Sequence, residues 1–323
     1  MYTRRFYEIP RISLAPLDTP VETMQRLSAA LPGSPRLFIK RDDFIGPLVW
    51  GNKLRKLEYS FAKAREIGAD TIITCGAVQS NHARTTAMVA KRLGLKCILI
   101  LNGEEPAVPT RNYRISCLME VEIRLVASRT DREPAMVKAA EEVKAGGGVP
   151  FIIPLGASDS TGAPGFVHAM FELRSQQENL GLRFNHIVVS TSSGGTQGGM
   201  EAGKRIAGMH NIGITGISAD DTPAEITARV LSAANPVLVF TGLPTLLSDD
   251  IQVDNRFTGA GYGIPSEESD RAAELFLRHE GILLDSTYTG KAAAGLIGMI
   301  REGRFGKNDN VLFWHTGGLV NLF

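Results

Sequence analysis

Short apolar runs alternate with amphipathic stretches along almost the whole of this 323-residue chain. The apolar runs predict strands at Leu37–Lys40, Thr71–Cys75, Lys96–Leu101, Glu122–Val126, Phe151–Ile153, His186–Ser190, Ile212–Ser218 and Val311–Trp314. Between them, apolar positions recurring at helical spacing predict helices at Lys53–Ile67, Ala83–Leu93, Glu133–Ala145, Gly165–Leu180, Gly198–Ala207 and Glu267–His279, and small residues predict another at Ala292–Ile300. The helix opening at Lys53 repeats Leu54, Leu57, Phe61 and Ala64 on one face, and Gly68 provides its stop. Such βαβ alternation implies parallel sheets with helices on both faces. Gly146-Gly147-Gly148 marks a loop, and Pro236 and Pro244 bracket a stretch that reads as irregular. There is no internal repeat and no low-complexity tract. No obvious linker divides the chain, so a second domain would be inserted rather than appended.

Composition removes classes more than it selects one. With 35 basic and 34 acidic residues interspersed, the net charge is +1. No basic face argues for nucleic acid or anionic lipid. The charged residues of Met1–Glu8 are not followed by an apolar segment, which predicts no secretory signal, and no later run approaches membrane-spanning length. Cys75, Cys97 and Cys117 lie on apolar stretches without a C-x-x-C pair and read as reduced residues of a cytoplasmic protein. The six histidines show no metal-binding spacing, so no metal is expected.

Two segments carry the chemistry. Gly51-Asn52-Lys53-Leu54-Arg55-Lys56-Leu57-Glu58 sets a lysine after a Gly-Asn turn, at the start of an amphipathic run. Ser190-Thr191-Ser192-Ser193-Gly194-Gly195-Thr196-Gln197-Gly198-Gly199 joins an apolar strand to a helix. A Gly/Ser/Thr loop entering a helix cradles phosphate, because free backbone N–H groups and the positive helix end converge there. A lysine held on a turn is a candidate imine-forming amine. Together they point to a phosphorylated aldehyde, pyridoxal 5′-phosphate, linked to Lys53. The stretch Gly46–Lys53 nearly spells a nucleotide P-loop, but Asn52 intrudes, Leu54 replaces the magnesium-binding hydroxyl and Pro47-Leu48-Val49-Trp50 is bulky. The loop at Gly194 also lacks the G-x-G-x-x-G spacing of a dinucleotide site.

Two further segments sit where strands meet helices. In Gly76–His82, Ser80 or Asn81 would cap a helix, and the same loop could offer N–H groups to a carboxylate. Tyr288 and Thr289 precede the small-residue helix, at the usual location of sites in α/β sheets.

The chain resembles the pyridoxal-phosphate lyases of fold type II, in the branch of 1-aminocyclopropane-1-carboxylate deaminase and D-cysteine desulfhydrase. The matching blocks are Ile39-Lys40-Arg41-Asp42-Asp43, Gly51–Glu58, Gln79-Ser80-Asn81-His82, Ser193-Gly194-Gly195-Thr196, Gly261-Tyr262-Gly263, Tyr288-Thr289-Gly290-Lys291 and His315-Thr316-Gly317-Gly318. The resemblance implies an α/β fold of two αβα domains with parallel sheets, like the tryptophan synthase β chain. Residues 1–52 and 161–323 would form the large cofactor-binding domain, with 53–160 inserted as a small domain. It implies that Lys53 holds the cofactor and moves the α-proton, while Lys56, Ser193, Gly194, Gly195 and Thr196 hold the phosphate. Asn81 would bind the phenolic oxygen, and Ser80, Asn81 and His82 the substrate carboxylate. Tyr262 and Tyr288 would flank the reacting carbon, with Ser80 as a further acid/base group and Thr289 facing the pyridine nitrogen. The partners implied are a small amino acid and a second copy of the chain.

Trp50 and Leu54 stand where the family has glycine and threonine, and Trp50 either crowds the pocket or packs outward. A carboxylate at the pyridine nitrogen supports prolonged negative charge on the substrate, as cyclopropane opening needs, and those enzymes carry glutamate there. Thr289 is neutral. The expected reaction is therefore β-elimination, D-cysteine giving pyruvate, ammonia and sulfide. The alternatives are 1-aminocyclopropane-1-carboxylate deamination, elimination from L-cysteate, and cofactor binding without turnover.

Overall fold

The computed structural model describes residues 2–46 and 50–322. Most of the bulky part of the near-P-loop stretch, residues 47–49, lies outside the described residues. The strands are β1 (Val21–Thr23), β2 (Arg36–Arg41), β3 (Thr71–Ala77), β4 (Lys96–Asn102), β5 (Glu122–Val126), β6 (Pro150–Ile153), β7 (His186–Thr191), β8 (Gly213–Ser218), β9 (Gln252–Asp254) and β10 (Asn310–His315). The helices are α1 (Tyr2–Phe6), α2 (Gln25–Ala30), α3 (Lys53–Glu66), α4 (Asn81–Arg92), α5 (Arg111–Leu118), α6 (Arg132–Ala145), α7 (Pro164–Leu180), α8 (Gly195–Ile206), α9 (Pro223–Thr241), α10 (Glu267–Glu280) and α11 (Thr289–Arg301).

The strands form two sheets, ordered β1-β2-β10-β7-β8-β9 and β5-β4-β3-β6. Every ladder is parallel except β1 against β2. The first sheet is buried on both faces. Ile187, Val189, Leu312 and Trp314 pack with residues of α7, α8 and α9, while Val188, Phe313 and Val311 pack with α10 and α11. The second sheet buries Ile72, Leu99 and Leu101 against α3 and α4, and Ile73, Ile98 and Ile100 against α6. Continuous apolar strands of this kind are what a parallel sheet covered on both sides requires.

The stretch between Pro236 and Pro244 is not irregular at its start. Pro236 lies inside the 19-residue helix α9. Ile226, Val230, Ala233, Ala234, Val237 and Leu238 are all buried by it. A capping box at Thr222 and Glu225 starts that helix, and burial of its apolar face outweighs one missing backbone hydrogen bond. Helix α8 begins at Gly195, three residues before the expected Gly198, which brings the phosphate-loop glycines into its first turn. Among the described residues no helix is long and apolar enough to cross a membrane. Nor do they contain a group of three or more His, Cys, Asp and Glu side chains able to hold a metal ion.

Candidate active site

The C-terminal ends of both parallel sheets open on one cavity of about 640 Å³. Sheet chemistry puts sites there, because each strand ends in a loop that leads into a helix N-terminus. From β2 the chain reaches Trp50, Gly51, Asn52 and Lys53, and from β3 it reaches Ser80, Asn81 and His82. The end of β7 supplies Ser190 to Gly194 and then Thr196, and the end of β10 supplies Thr316, Gly317 and Gly318. Tyr262 and Tyr288 complete the wall.

Lys53 opens α3 with its Nζ 5.8 Å from the centre of the Tyr288 ring. Burial lowers its pKa to about 8, against the opposing pull of the Asp285 carboxylate. No hydrogen bond or ion pair holds the amine among the described residues. The turn before it is fixed in two ways. Gly51 has φ +59°, and an added Cβ would stand 2.9 Å from the Thr316 carbonyl oxygen. Asn52 Nδ2 donates to Thr196 Oγ1 at 3.2 Å, which ties the lysine turn directly to the glycine-rich loop.

That loop is shaped for an anion. Gly194 lies at φ +80°, and a Cβ there would come within 2.7 Å of the Arg229 side chain and 2.9 Å of the Val230 nitrogen. The first N–H groups of α8 have no partner within the helix, and its dipole points its positive end at the cavity. Ser190 Oγ and Thr191 Oγ1 are buried without a hydrogen-bond partner. Lys56 does not line the cavity. It is fully buried behind it, donating from Nζ to Ser158 Oγ at 3.1 Å, and Ser158 Oγ is 2.7 Å from Ser193 Oγ. Burial, reinforced by Lys53, pushes the Lys56 pKa well down, a condition that a bound phosphate would relieve.

On the opposite side, Ser80 caps α4, its Oγ accepting from Ala83 N at 3.2 Å. Asn81 Oδ1 accepts from Asn112 Nδ2 at 3.0 Å. His82 Nε2 is 2.8 Å from Thr74 Oγ1, and burial lowers the pKa of its ring well below the usual range. The Tyr262 and Tyr288 hydroxyls are 2.5 Å apart. Burial and the neighbouring Tyr262 push the Tyr288 pKa well up, so its hydroxyl keeps its proton at neutral pH.

Thr289 is fully buried and does not line the cavity. Its Oγ1 accepts from Asp285 N at 2.8 Å and donates to Asp285 Oδ1 at 2.7 Å. The Asp285 carboxylate also accepts from the backbone N–H groups of Thr287, Tyr288 and Thr289. The threonine whose residue does line the cavity is Thr316. Gly195 also lies outside the lining, where an added Cβ would meet Ser158 Oγ at 2.5 Å. Trp50 does both things considered for it. It lines the cavity, yet its ring is buried in the second sheet's core, with the Arg92 guanidinium 5.4 Å from its centre.

Sequence reasoning missed Asn52, Ser158, Asp285, Thr316 and Arg132 as parts of this region. Thr316 could have been weighed from the His315-Thr316-Gly317-Gly318 block, but the others gain their meaning from contacts between distant segments. Pyridoxal phosphate fits the residues present: an unpartnered amine of lowered basicity, orphaned hydroxyls beside a glycine cradle that admits no Cβ, and a buried lysine behind the cradle.

Comparison with known proteins agrees with this chemistry. A family model described as pyridoxal-phosphate dependent enzyme matches residues 12–317. A 1-aminocyclopropane-1-carboxylate deaminase of Methylobacterium nodulans is 40% identical over 314 residues, covering 94% of this chain and 93% of that protein. One of Bradyrhizobium diazoefficiens is 39% identical with the same coverage, 94% and 93%. A crystal structure of an ACC deaminase homologue superposes with a TM-score of 0.90 at 32% identity, covering 100% of this chain and 96% of the other. A pyridoxal 5′-phosphate-dependent aspartate racemase shares the fold, at a TM-score of 0.69 and 17% identity over 98% of this chain and 94% of its own.

Proposed function

The chain belongs to the family of pyridoxal-phosphate dependent enzymes, within its ACC deaminase-like lyases, and on that premise we propose that it removes a β-substituent from a small amino acid, with D-cysteine the leading substrate. One observation carries the choice of reaction. Thr289, at the position where the resemblance places a glutamate in cyclopropane-opening enzymes, is neutral, and its hydroxyl is already committed to Asp285. The acidic side chains that line the cavity are engaged elsewhere, Asp221 with Arg129 and Arg229, and Asp220 with Ser192. Neither Thr289 nor Asp285 lines the cavity, so this segment brings no carboxylate to the cofactor nitrogen, and that suits a substrate whose leaving group departs readily.

The cofactor, when bound, supplies an electron sink for the substrate's α-carbon. Lys53 would hold it, with Ser193, Gly194 and Thr196 around its phosphate and Lys56 and Gly195 behind them. The Lys53 amine then takes the α-proton, a task that its lowered basicity favours near neutral pH. The N-terminus of α4, with Ser80, Asn81 and His82, suits an anionic carboxylate. Ser80 and the Tyr262–Tyr288 pair line the same cavity and would serve as its proton donors. Residues 53–160 would be the small domain of a cytoplasmic homodimer, a location that the three free cysteines support.

The names of the relatives favour a second reading, deamination of 1-aminocyclopropane-1-carboxylate. A panel of D- and L-amino acids, assayed for 2-oxo acid and ammonia, separates the two. Elimination gives pyruvate and sulfide from D-cysteine and little 2-oxobutyrate from the cyclopropane. Efficient cyclopropane opening with no turnover of D-cysteine would overturn the first reading in favour of the second.

A further inference from the structure

Three arginines besides the buried Arg84 line the cavity, and two of them share one carboxylate partner. Arg129 pairs with Asp221 at 2.9 Å, and Arg229 pairs with the same carboxylate at 2.5 Å while donating to the Ser192 carbonyl. Arg132 has neither an ion pair nor a hydrogen bond among the described residues, and its Nε is fully buried without an acceptor. A guanidinium brought to a cavity wall with no counter-charge calls for a ligand that supplies one.

The topology brings Arg132 and the Ser80 turn to the same end of the second sheet. In the second sheet β3, β4 and β5 are neighbours, and their C-terminal ends lead in that order to Ser80, Asn102 and Arg132. Adjacent strands stand about 4.8 Å apart, so β3 and β5, which lead to Ser80 and Arg132, run roughly 10 Å from each other. On the other wall Tyr262 bonds Tyr288, whose ring centre lies 5.8 Å from Lys53 Nζ. An amino acid bound by its carboxylate at Ser80, with its α-carbon at Lys53, would thus extend its side chain toward Arg132.

We propose that Arg132 forms a subsite for a negatively charged β-substituent: a sulfonate, a sulfate or phosphate ester, or the thiolate of cysteine. The inference rests on the elimination reading and deepens it. In the step it serves, the α-proton passes to Lys53 and the pair left at the α-carbon forms the bond to the β-carbon. The β-carbon–X bond breaks with its pair going to X, which departs as an anion. The remaining three-carbon fragment takes up water to give 2-oxo acid and ammonia. Arg132 keeps its protons throughout and receives the anion as an ion pair, a geometry its planar fork suits. Cyclopropane opening releases no anion and would leave Arg132 idle.

The test compares the wild-type holoenzyme with Arg132→Gln and Arg132→Lys. Binding of 3-sulfopropanoate is measured by calorimetry against butanoate, and turnover is measured with serine O-sulfate against β-chloroalanine, each as both enantiomers. The proposal expects Arg132→Gln to weaken 3-sulfopropanoate binding and kcat/KM for serine O-sulfate about ten- to a hundredfold. Butanoate binding and β-chloroalanine turnover should change less than about threefold, and Arg132→Lys should recover part of the loss. Equal loss on both substrates, or no loss of 3-sulfopropanoate binding, would overturn it. So would cofactor release from Arg132→Gln with its substrate preference intact, since the arginine would then serve the phosphate. Absence of turnover of any of these substrates by the wild type would instead refute the elimination reading, while the calorimetry still reports on Arg132.

Discussion

Lys53 shows most directly how a side chain acquires chemistry from its surroundings. An ordinary lysine is almost wholly protonated at pH 7, whereas a pKa of about 8 leaves roughly a tenth of the amine free to attack an aldehyde. Capture of added pyridoxal phosphate by the apoprotein, followed by its absorbance, should therefore accelerate as pH rises toward 8 and level off above it. Asp285 raises that pKa, so Asp285→Asn should move the profile to lower pH, and a profile that did not move would detach Asp285 from the lysine. Ser80→Ala should lose about 10²–10⁴-fold in kcat with cofactor affinity nearly intact, and unchanged turnover would reduce Ser80 to a helix cap. Lys53, Ser80, Tyr288 and the Ser193–Thr196 loop were legible in the sequence because each lies in a short segment of distinctive composition. Asp285, Ser158 and Arg132 were not, because their significance comes from neighbours on other strands and loops.

At the scale of elements, α3 must be held firmly if its first residue is to stay in the cavity. A buried ion cluster does this. Arg55 on α3 forms paired bonds to Asp42 at 2.7 and 2.9 Å and reaches Glu172 of α7 at 2.8 Å, while Trp314 of β10 donates to Asp42 at 2.9 Å. Lys40 of β2 pairs with Glu172. Burial, the largest single influence, would raise the Asp42 pKa, but Arg55, Lys40 and the Trp314 hydrogen bond together outweigh it and the net shift is downward. The stabilisation is therefore present above the usual aspartate range and is lost as pH falls through the lowered value. Arg55→Met, which leaves Asp42 buried beside an incomplete set of partners, should cost about 3–5 kcal/mol in urea unfolding. A loss below about 1 kcal/mol would show that the cluster does not anchor the helix. Gly194→Ala should weaken cofactor retention at least about tenfold, because the residue combines a left-handed φ with contact against Arg229. The sequence marked α3 and α7 almost to the residue. Its reading failed where proline or glycine is tolerated inside a helix, at Pro236 in α9 and at the first turn of α8, since buried packing there overrides local propensity.

For the molecule as a whole, the architecture brings the ends of two parallel sheets to one cavity, so that Lys53 and the glycine-rich loop meet through the Asn52–Thr196 hydrogen bond. The alternation of strands and helices, the two distant motifs and the family resemblance that they and the other blocks carry foresaw the fold class and the cofactor. The side-chain composition of the cavity, on which substrate choice depends, emerges only when the sheets face each other. The central claim is that this cavity holds pyridoxal phosphate on one amine, Lys53. Borohydride reduction of the holoenzyme followed by peptide mapping tests it most directly. The account predicts a single reduced adduct on the peptide containing Lys53, absent from Lys53→Ala. An adduct on Lys56, Lys291 or any other lysine would contradict it.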